Sequence, residues 1–444
     1  MSRAPGPRGR PITGSLAAFQ RDPLGLMAGA LQAHGDIVRF RFAHITAHLL
    51  NHPDAIAQVL SRNAANYDKN TRSAALIRAT CGDSLMSGNE GTWARHRQLL
   101  APVFQPKAVA GYAPLIDAQM QPVLARWADV AKAGGQIDIA AEMMSLVIGL
   151  AVRLLFSTQI DATRIEAALA VLLDDTWRRL QAPFDPSMIS PAFHRPVFKA
   201  ARGQIDAIVT DMIRTRRAAS QRPDDVLSRL IAAHEAEGAQ ALTDTELRDA
   251  AVTLLLAGHE TTANALAWMF WLVAREPARN LETTDPQHLF AEALRLYPSI
   301  WIVERRAIAA DQIGPYRIGA GSTVLISPWL LHRNPAFWPE AERFDPTRFA
   351  PDQIEARPRH AYLPFGLGPH RCIGLHLAQL IAGRVIANIY DHFRFTARDP
   401  SPRQVRPQIT LRPEGPLWLC PRCLSQGRAV KTRGPSRPWP TNSR

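Results

Sequence analysis

The chain has 444 residues, of which 46% are hydrophobic and 20% charged, and its formal net charge is +13. This composition is ordinary for a folded protein with a large buried core, and it excludes a low-complexity or disulfide-dense chain. Part of the charge comes from residues 421–444, which contain six Lys or Arg and no Asp or Glu. We therefore predict one folded domain over residues 1–420 and a basic, disordered tail over residues 421–444.

The remaining charge does not indicate a nucleic-acid-binding protein, because no zinc-finger, basic-zipper or RNA-stacking motif accompanies it. The N-terminus lacks the apolar stretch of a signal peptide. The best candidate for a membrane span, residues 252–274, is interrupted by His259, Glu260 and Asn264. We therefore predict a cytoplasmic monomer that binds no nucleic acid and has no membrane span.

The first half of the chain places its apolar residues mostly at helical spacing. An alternating stretch at residues 36–51 predicts a pair of strands. After Pro298 the pattern changes to short strands, then to a proline-punctuated meander, a glycine-rich loop and a last long helix. The predicted fold class is mainly α with a small β region.

The longest helix is predicted over residues 244–275. Thr243 and Glu246 can form a capping box at its start, and Pro277 closes its far end. Because the helix is apolar on nearly all sides after Ala251, we expect it to cross the centre of the protein.

The glycine-rich loop, FGLGPHRCIG at residues 365–374, contains Cys372 at the mouth of the last helix. A helix N-terminus offers unpaired N–H groups and a positive dipole end, both of which stabilise a thiolate. Gly366, Gly368 and Gly374 let the backbone turn tightly and approach something large and flat. A thiolate held in this way is what the proximal ligand of a haem iron requires. The alternative is a structural cysteine buried beside a turn.

The full pattern F-G-x-G-x-H-x-C-x-G is met at six fixed positions, and here the chain resembles the soluble bacterial members of the cytochrome P450 superfamily of haem-thiolate monooxygenases. The resemblance implies the prism fold of that family and haem b with Cys372 as its axial thiolate. It also implies insertion of one oxygen atom from O₂ into a hydrophobic small molecule, with electrons from NAD(P)H through a ferredoxin or flavodoxin. The six positions are Phe365, Gly366, Gly368, His370, Cys372 and Gly374.

The central helix carries Ala257-Gly258-His259-Glu260-Thr261-Thr262, which is similar to the family's A/G-G-x-D/E-T-T/S segment. A glycine inside a helix costs about 1 kcal/mol relative to alanine, so we expect Gly258 to open a groove for bound O₂. The resemblance implies that Thr261 donates a proton to the distal oxygen and that Glu260 relays protons from solvent. By itself the segment is also compatible with a polar stripe on a buried helix.

Two further motifs follow from the resemblance. Glu292 and Arg295 fit the family's E-x-x-R, a buried structural pair that contacts Arg348 in the meander; by itself the motif is also typical of a surface ion pair. Cationic and polar groups are implied for the haem propionates. These are Trp93, Arg97, His370 and one of Arg305 and Arg306, between which the spacing does not decide.

The substrate is predicted to be apolar, with a terpenoid or fatty acyl group favoured by family analogy alone. Its cavity would be lined by Ala257, Thr261, Val303 and residues near Ile409, and shaped by Trp301 and Ile302. Further walls are expected from residues 74–87 and 182–198. A docking face for an acidic ferredoxin is predicted at four arginines, Arg95, Arg357, Arg359 and Arg371.

Two features depart from the family's pattern. Only residues 277–291 separate the central helix from the E-x-x-R helix, where the family has two more helices. The alternative function is therefore a non-catalytic or degenerate haem-binding protein. Cys420 and Cys423 form a C-x-x-C without a second pair of ligands nearby, so two incidental thiols are predicted rather than a zinc site. A peroxide-driven peroxygenase is disfavoured because such members replace the Glu260–Thr261 pair.

Overall fold

The computed structural model describes residues 2–158, 160–182, 184–185, 187, 190, 193–236 and 241–424. Helices dominate, as the sequence predicts, and small sheets lie beside them. The helices are α1 Leu16–Arg21, α2 Pro23–His34, α3 Pro53–Ala57, α4 Arg72–Cys81, α5 Glu90–Leu100, α6 Pro106–Ala110, α7 Ala113–Lys132, α8 Ile139–Phe156, α9 Ala162–Gln181, α10 Pro196–Ala218, α11 Val226–Glu235, α12 Asp244–Ala274, α13 Pro286–Leu296, α14 Pro328–Leu331, α15 Pro351–Glu355 and α16 Leu375–His392.

The strands form one five-stranded sheet, one three-stranded sheet and two hairpins. The five-stranded sheet has the order β1-β2-β8-β5-β3, the three-stranded sheet the order β4-β12-β9, and the hairpins are β6-β7 and β10-β11. The strands are β1 Ile37–Phe42, β2 Ile45–Leu50, β3 Tyr67–Asp68, β4 Ile137–Asp138, β5 Val303–Ala307, β6 Asp311–Ile313, β7 Tyr316–Ile318, β8 Thr323–Ile326, β9 Phe393–Ala397, β10 Val405–Pro407, β11 Leu411–Pro413 and β12 Trp418–Cys423.

Helix α12 forms the central axis of the helical layer. It begins with the predicted capping box, in which Thr243 accepts from the Glu246 backbone N–H while the Glu246 carboxylate accepts from Thr243. Most of its residues from Leu247 to Ala274 are buried on all sides, within one large apolar cluster that also includes α8, α9, α10 and α16. The predicted position and length of this helix are therefore confirmed.

The five-stranded sheet separates two smaller apolar clusters. Successive residues of β8 face opposite sides: Val324 and Ile326 belong to one cluster, and Leu325 belongs to the other. Strand β5 pairs antiparallel with β8 on one side and with the short β3 on the other. This pairing brings residues near position 69 next to residues near position 305, which are far apart in the sequence.

Helix α8 meets the length and apolarity requirements of a membrane span, with a mean hydropathy of 2.0, and 61% of it is buried inside the protein. A buried core helix meets the same requirements, and α8 contributes to the core around α12. The absence of a membrane span stays a prediction.

The C-terminal boundary differs from the predicted one. Strand β12 pairs with β9 through Cys423, so residues 421–423 belong to a sheet and not to a tail. The rest of the predicted tail, residues 425–444, lies outside the described residues. Cys420 and Cys423 are free thiols, and the described part of the chain contains no group of three or more metal-ligating side chains.

Candidate active site

The glycine-rich loop runs from Phe365 to Gly374 and leads directly into α16. Gly366 and Gly368 have φ angles of 73° and 71°, in the left-handed region that glycine adopts without strain. A Cβ atom on Gly368 would lie 1.8 Å from the backbone oxygen of Leu60, whereas one on Gly366 would meet open space. The idea that these glycines make room for a haem therefore does not hold for Gly368, which instead allows close packing against Leu60.

Cys372 lies at the end of this loop, two residues before the N-cap of α16. Its backbone N–H donates to the carbonyl oxygen of Phe365 at 2.9 Å, which closes the turn. Burial raises the pKa of the Cys372 thiol, and the backbone N–H of Gly374 and the Arg97 guanidinium partly oppose that effect. The residue nevertheless has exposed surface, which indicates that it borders a space inside the protein.

The middle of α12 borders such a space as well. Ala257 is exposed, and Gly258 and Thr261 are partly exposed, although the helix is buried before and after them. The Thr261 hydroxyl donates to the carbonyl oxygen of Ala257 at 3.1 Å. A Cβ on Gly258 would make ordinary contacts with α8, 3.6 Å from Leu155. The missing side chain of Gly258 therefore faces α8, which corrects the expectation that it opens the groove.

Glu260 is 2% exposed and points toward the β10–β11 hairpin. Its Oε1 accepts from the hydroxyl of Thr410 and from Nε of Arg412. The Arg412 side chain is 26% exposed, so this guanidinium connects the buried carboxylate to the surface. The sequence analysis did not identify Arg412, because no local pattern links residue 412 to residue 260. The role of Glu260 as a proton relay stays a prediction.

Four cationic or polar side chains meet between the loop, α5 and β5. The rings of His370 and Trp93 have centroids 4.1 Å apart, and Nζ of Lys69 lies 5.8 Å from the Trp93 ring centre. Burial, together with the charges of Lys69 and Arg305, lowers the pKa of His370 to about 3. Burial likewise lowers the pKa of Lys69 to about 8 and that of Arg305 to about 10. The cluster therefore holds positive charge at a cost in desolvation, as a site for an anion does.

The structure distinguishes the two arginines that spacing left open. Arg306 makes two hydrogen bonds to Asp68, at 3.1 and 2.6 Å. Arg305, on the opposite face of β5, is 9% exposed and lies in the cluster with His370. Within the described ranges, no carboxylate lies at ion-pair distance from Arg305, Lys69 or Arg97. Arg305 is therefore the residue available for a propionate, and Lys69 is a further donor that the sequence analysis missed.

We expect Arg305→Ala to speed the transfer of haem to excess apomyoglobin by about 10- to 100-fold, since one charge-assisted hydrogen bond is worth about 1.5–3 kcal/mol. Arg306→Ala is the matched control and should leave the transfer rate unchanged, because Arg306 is already paired with Asp68. Equal acceleration in both variants would contradict the assignment.

The E-x-x-R motif forms the buried pair that the resemblance implies. Glu292 and Arg295 have side chains that are 0% exposed, and they are joined by two hydrogen bonds of 2.7 and 2.8 Å. Arg348 lies 3.5 Å from Glu292, and the backbone N–H of Asp345 donates to the same carboxylate oxygen at 2.8 Å. Arg295 also donates to three backbone carbonyls of the meander, at His332, Ala341 and Arg343. The alternative of a surface pair is therefore wrong.

The predicted docking face is only partly supported. Arg357 stacks on Trp338 at 3.8 Å, and burial lowers its pKa to about 10, so it is a structural residue. Arg95 forms an ion pair with Glu246 at the start of α12. Both residues are thus engaged within the protein, which corrects their assignment to a docking face. Arg359 is exposed and Arg371 is partly exposed.

The connection from α12 to α13 contains two short 3₁₀ turns, Pro277–Arg279 and Leu281–Thr283, and no longer helix. Side-chain hydrogen bonds hold this connection against the neighbouring elements. Arg279 donates to the carbonyl oxygen of Phe344 at 2.8 Å, and Gln287 donates to that of Gln379 on α16 at 3.1 Å. The predicted shortening is confirmed, and these contacts tie the shortened region to the meander and to α16.

The residues predicted to line the substrate cavity differ in their exposure. Ala257 is exposed, and Val303 and Ile409 are partly exposed, as cavity-lining residues must be. Trp301 is fully buried, and its ring N–H donates to the carbonyl oxygen of Gln408 at 2.7 Å. It therefore packs behind the cavity-lining residues and does not line the cavity itself. A surface cavity of about 960 Å³ lies elsewhere, between α2 and α14, and contains none of these residues.

These residues fit a haem. Cys372 has accessible surface at the start of α16, and the cations Arg305 and Lys69 have no carboxylate at ion-pair distance among the described residues, so they can pair with propionates. A dianionic porphyrin edge is the chemical complement of this donor set. The residues that would hold it are Cys372, Phe365, Trp93, Lys69, Arg97, Arg305 and His370.

Comparison with known proteins gives the same result. The family model described as Cytochrome P450 matches residues 4–280 and 287–420, and the unmatched residues 281–286 fall in the shortened connection. Cyclooctatin synthase of Streptomyces melanosporofaciens is 31% identical, with 94% of each chain covered. Cyclooctat-9-en-7-ol 5-monooxygenase of the same organism is 32% identical over 86% of this chain and 87% of its own. Pentalenene oxygenase of Streptomyces avermitilis is 29% identical over 91% of this chain and 96% of its own.

Proposed function

The chain belongs to the cytochrome P450 family and is a monooxygenase of that family, and we propose that it inserts one oxygen atom from O₂ into a cyclic terpenoid. The single observation that carries this proposal is the accessible Cys372 at the start of α16, near a cluster of cations that has no carboxylate at ion-pair distance from Arg305, Lys69 or Arg97 within the described residues. Bound haem would supply the oxygen-activating and electron-accepting chemistry.

The residues around the haem site have separate roles in the proposal. Cys372 would hold the haem iron through its sulfur, since backbone N–H groups at the start of α16 are directed toward that sulfur. Arg305, Arg97, Lys69 and His370 fix the propionates and so set the orientation of the cofactor. The neutral form of His370 is strongly favoured, because burial lowers its pKa to about 3, so it acts as a hydrogen-bond donor and not as a cation.

Thr261 and Glu260 serve proton delivery in the proposal. The hydroxyl of Thr261 lies on the accessible turn of α12 and can turn from the Ala257 carbonyl oxygen toward bound O₂. Glu260 is buried but paired with Arg412, whose exposed part reaches solvent. A proton taken up at the surface can thus pass to Glu260 and then to Thr261 through ordered water.

A terpenoid substrate is supported by the relatives and by the apolar character of the lining. The names of two relatives contain an alkenol, cyclooctat-9-en-7-ol, and a hydrocarbon, pentalenene. Ala257, Val303 and Ile409 offer apolar surface to such a compound. A fatty acyl chain is the second candidate, because an apolar lining by itself accepts either class.

Electrons reach the haem from NAD(P)H through a separate ferredoxin or flavodoxin in this proposal. Arg359, which is exposed, and Arg371, which is partly exposed, add positive charge near the cysteine loop, which an acidic partner would favour. The protein is proposed to act as a cytoplasmic monomer. The competing proposal, a non-catalytic haem protein, is motivated only by the shortened connection, and the contacts made by Arg279 and Gln287 argue against a loosened proximal side.

Turnover with a surrogate ferredoxin system under isotopically labelled O₂ tests the function, and one labelled oxygen atom per product is the expected result. In Thr261→Ala we expect product per NAD(P)H to fall about tenfold or more while hydrogen peroxide rises, since proton transfer by a positioned group typically contributes 10²–10⁴-fold. Thr262→Ala, one residue further along and buried, is the matched control. Tight coupling in Thr261→Ala would remove this residue from the mechanism, and unlabelled product would remove the monooxygenase reaction.

A further inference from the structure

A carboxylate lies where α4, β5 and the end of α9 meet. Oγ of Ser73 donates to Oε2 of Glu304 at 2.6 Å, and Thr71 also bonds this carboxylate. The neighbouring Arg72 donates to the last backbone carbonyls of α9, at Arg179 and Ala182. Three elements far apart in the sequence are thus joined by polar contacts around one acid.

These contacts do not bury Glu304 completely. It stays partly exposed, while Arg305 and Ala307, which follow it on β5, are buried. Burial nevertheless raises the pKa of the carboxyl group, and the hydroxyls of Ser73 and Thr71 and the charge of Arg72 oppose that effect, so most of the group lies away from bulk solvent. Ser73 is also partly exposed, and so is Ile77, one helical turn further along the same face of α4.

The surroundings of Glu304 are those expected for a substrate cavity. Ser73 lies directly before residues 74–87, one of the segments that the sequence analysis predicts as a cavity wall. Ile302, two residues before Glu304, is apolar and partly exposed. Glu304 is thus one of a few polar groups beside apolar side chains, as the orienting groups of ligand pockets are.

A purely structural role for Glu304 does not explain why this position holds a carboxyl group. An uncharged amide or hydroxyl could fasten α4 to β5 without the cost of desolvating a carboxyl group. A carboxylate has about four acceptor positions, and the two hydroxyls of Ser73 and Thr71 occupy only part of them. The accessible side of Glu304 is therefore free to accept from a ligand.

We propose that Glu304, held by Ser73, accepts a hydrogen bond from a hydroxyl group of the substrate. The enzyme then takes a terpenoid that is already an alcohol in preference to the parent hydrocarbon, and a reaction that installs this hydroxyl must come before it. This inference rests on the proposed function. A hydrogen bond to this carboxyl group corresponds to an affinity preference of about tenfold for the alcohol.

Equilibrium dialysis of the holoenzyme with cedrol and with cedrane, an alcohol and a hydrocarbon of one tricyclic skeleton, tests the inference. We expect the wild type to bind cedrol about tenfold more tightly than cedrane. Glu304→Leu should bring this ratio close to one, and Ser73→Ala should lower it partly, because the carboxylate loses its support. Glu142→Gln, which alters a carboxylate bound to Arg126 and Trp127, is the matched control and should keep the wild-type ratio.

Each variant is first checked for the red-shifted Soret band of the reduced carbon monoxide complex, which separates this inference from the proposed function. With the band intact, a wild-type ratio near one, or a ratio that survives in Glu304→Leu, overturns the role of Glu304 alone. If neither compound binds, both the terpenoid substrate and the role of Glu304 are contradicted, while the haem-thiolate assignment stands. A missing band in the wild type contradicts the proposed function itself.

Discussion

Cys372→Ala is expected to abolish the red-shifted Soret band of the reduced carbon monoxide complex and to lower turnover below detection. The reason is that Cys372 is placed to supply the thiolate, with backbone N–H groups of α16 directed at its sulfur. Some haem should still bind, because Arg97, Arg305 and Lys69 do not depend on the sulfur. Spectroscopy and haem content, measured on the same sample, give both quantities.

Cys423→Ala is the matched control, since this thiol is exposed at the end of β12 and should not influence the spectrum. A red-shifted band that persists in Cys372→Ala would overturn the ligand assignment. If the wild type itself shows an unshifted band, the shortened connection at residues 277–291 has impaired the proximal site, and the non-catalytic alternative is favoured.

Glu292→Ala is expected to lower the free energy of unfolding by about 3–5 kcal/mol, because it leaves the fully buried Arg295 without its counter-charge. The backbone N–H of Asp345 also loses its acceptor. Chemical denaturation followed by circular dichroism measures the change. Glu292→Gln should have a smaller effect, because the amide keeps one acceptor for these donors.

Asp129→Ala provides the control for this second prediction. Asp129 pairs with Lys132 on the surface of α7, where both side chains are more than 70% exposed, so its loss should change little. Equal stability of Glu292→Ala and the wild type would mean that the E-x-x-R pair does not anchor the meander. The three carbonyls bound by Arg295 explain why such an anchor is needed, since the meander has little regular structure of its own.

The sequence was sufficient for features that contiguous residues specify. The capping box of α12 and its closure near Pro277 depend on neighbouring residues and could be located without a structure. The same holds for the cysteine loop, whose six fixed positions lie within ten residues. The burial of Glu292 and Arg295 needed the family resemblance in addition, because an i, i+3 pair has the same spacing on a surface helix.

The glycines show where local reasoning was insufficient. Both Gly258 and Gly368 stand in motifs that suggested a haem or O₂ nearby. Their Cβ directions lead instead to Leu155 and to Leu60. The motif indicates that a glycine is needed at such a position. Only the tertiary structure shows which atoms a side chain at that position would contact.

The sequence by itself therefore determined the fold class and the central helix, and it predicted Cys372 as the thiolate ligand, since these features depend on local residue patterns. Only the tertiary structure decided between Arg305 and Arg306, because adjacent strand residues face opposite sides and Asp68 pairs with Arg306. It also placed Lys69 beside Trp93, showed that Arg357 stacks on Trp338 and placed Glu304 beside Ser73. The physical reason is the same in each case: charge and hydrogen bonding act between side chains that the chain brings together from distant positions, and no local pattern records those distances.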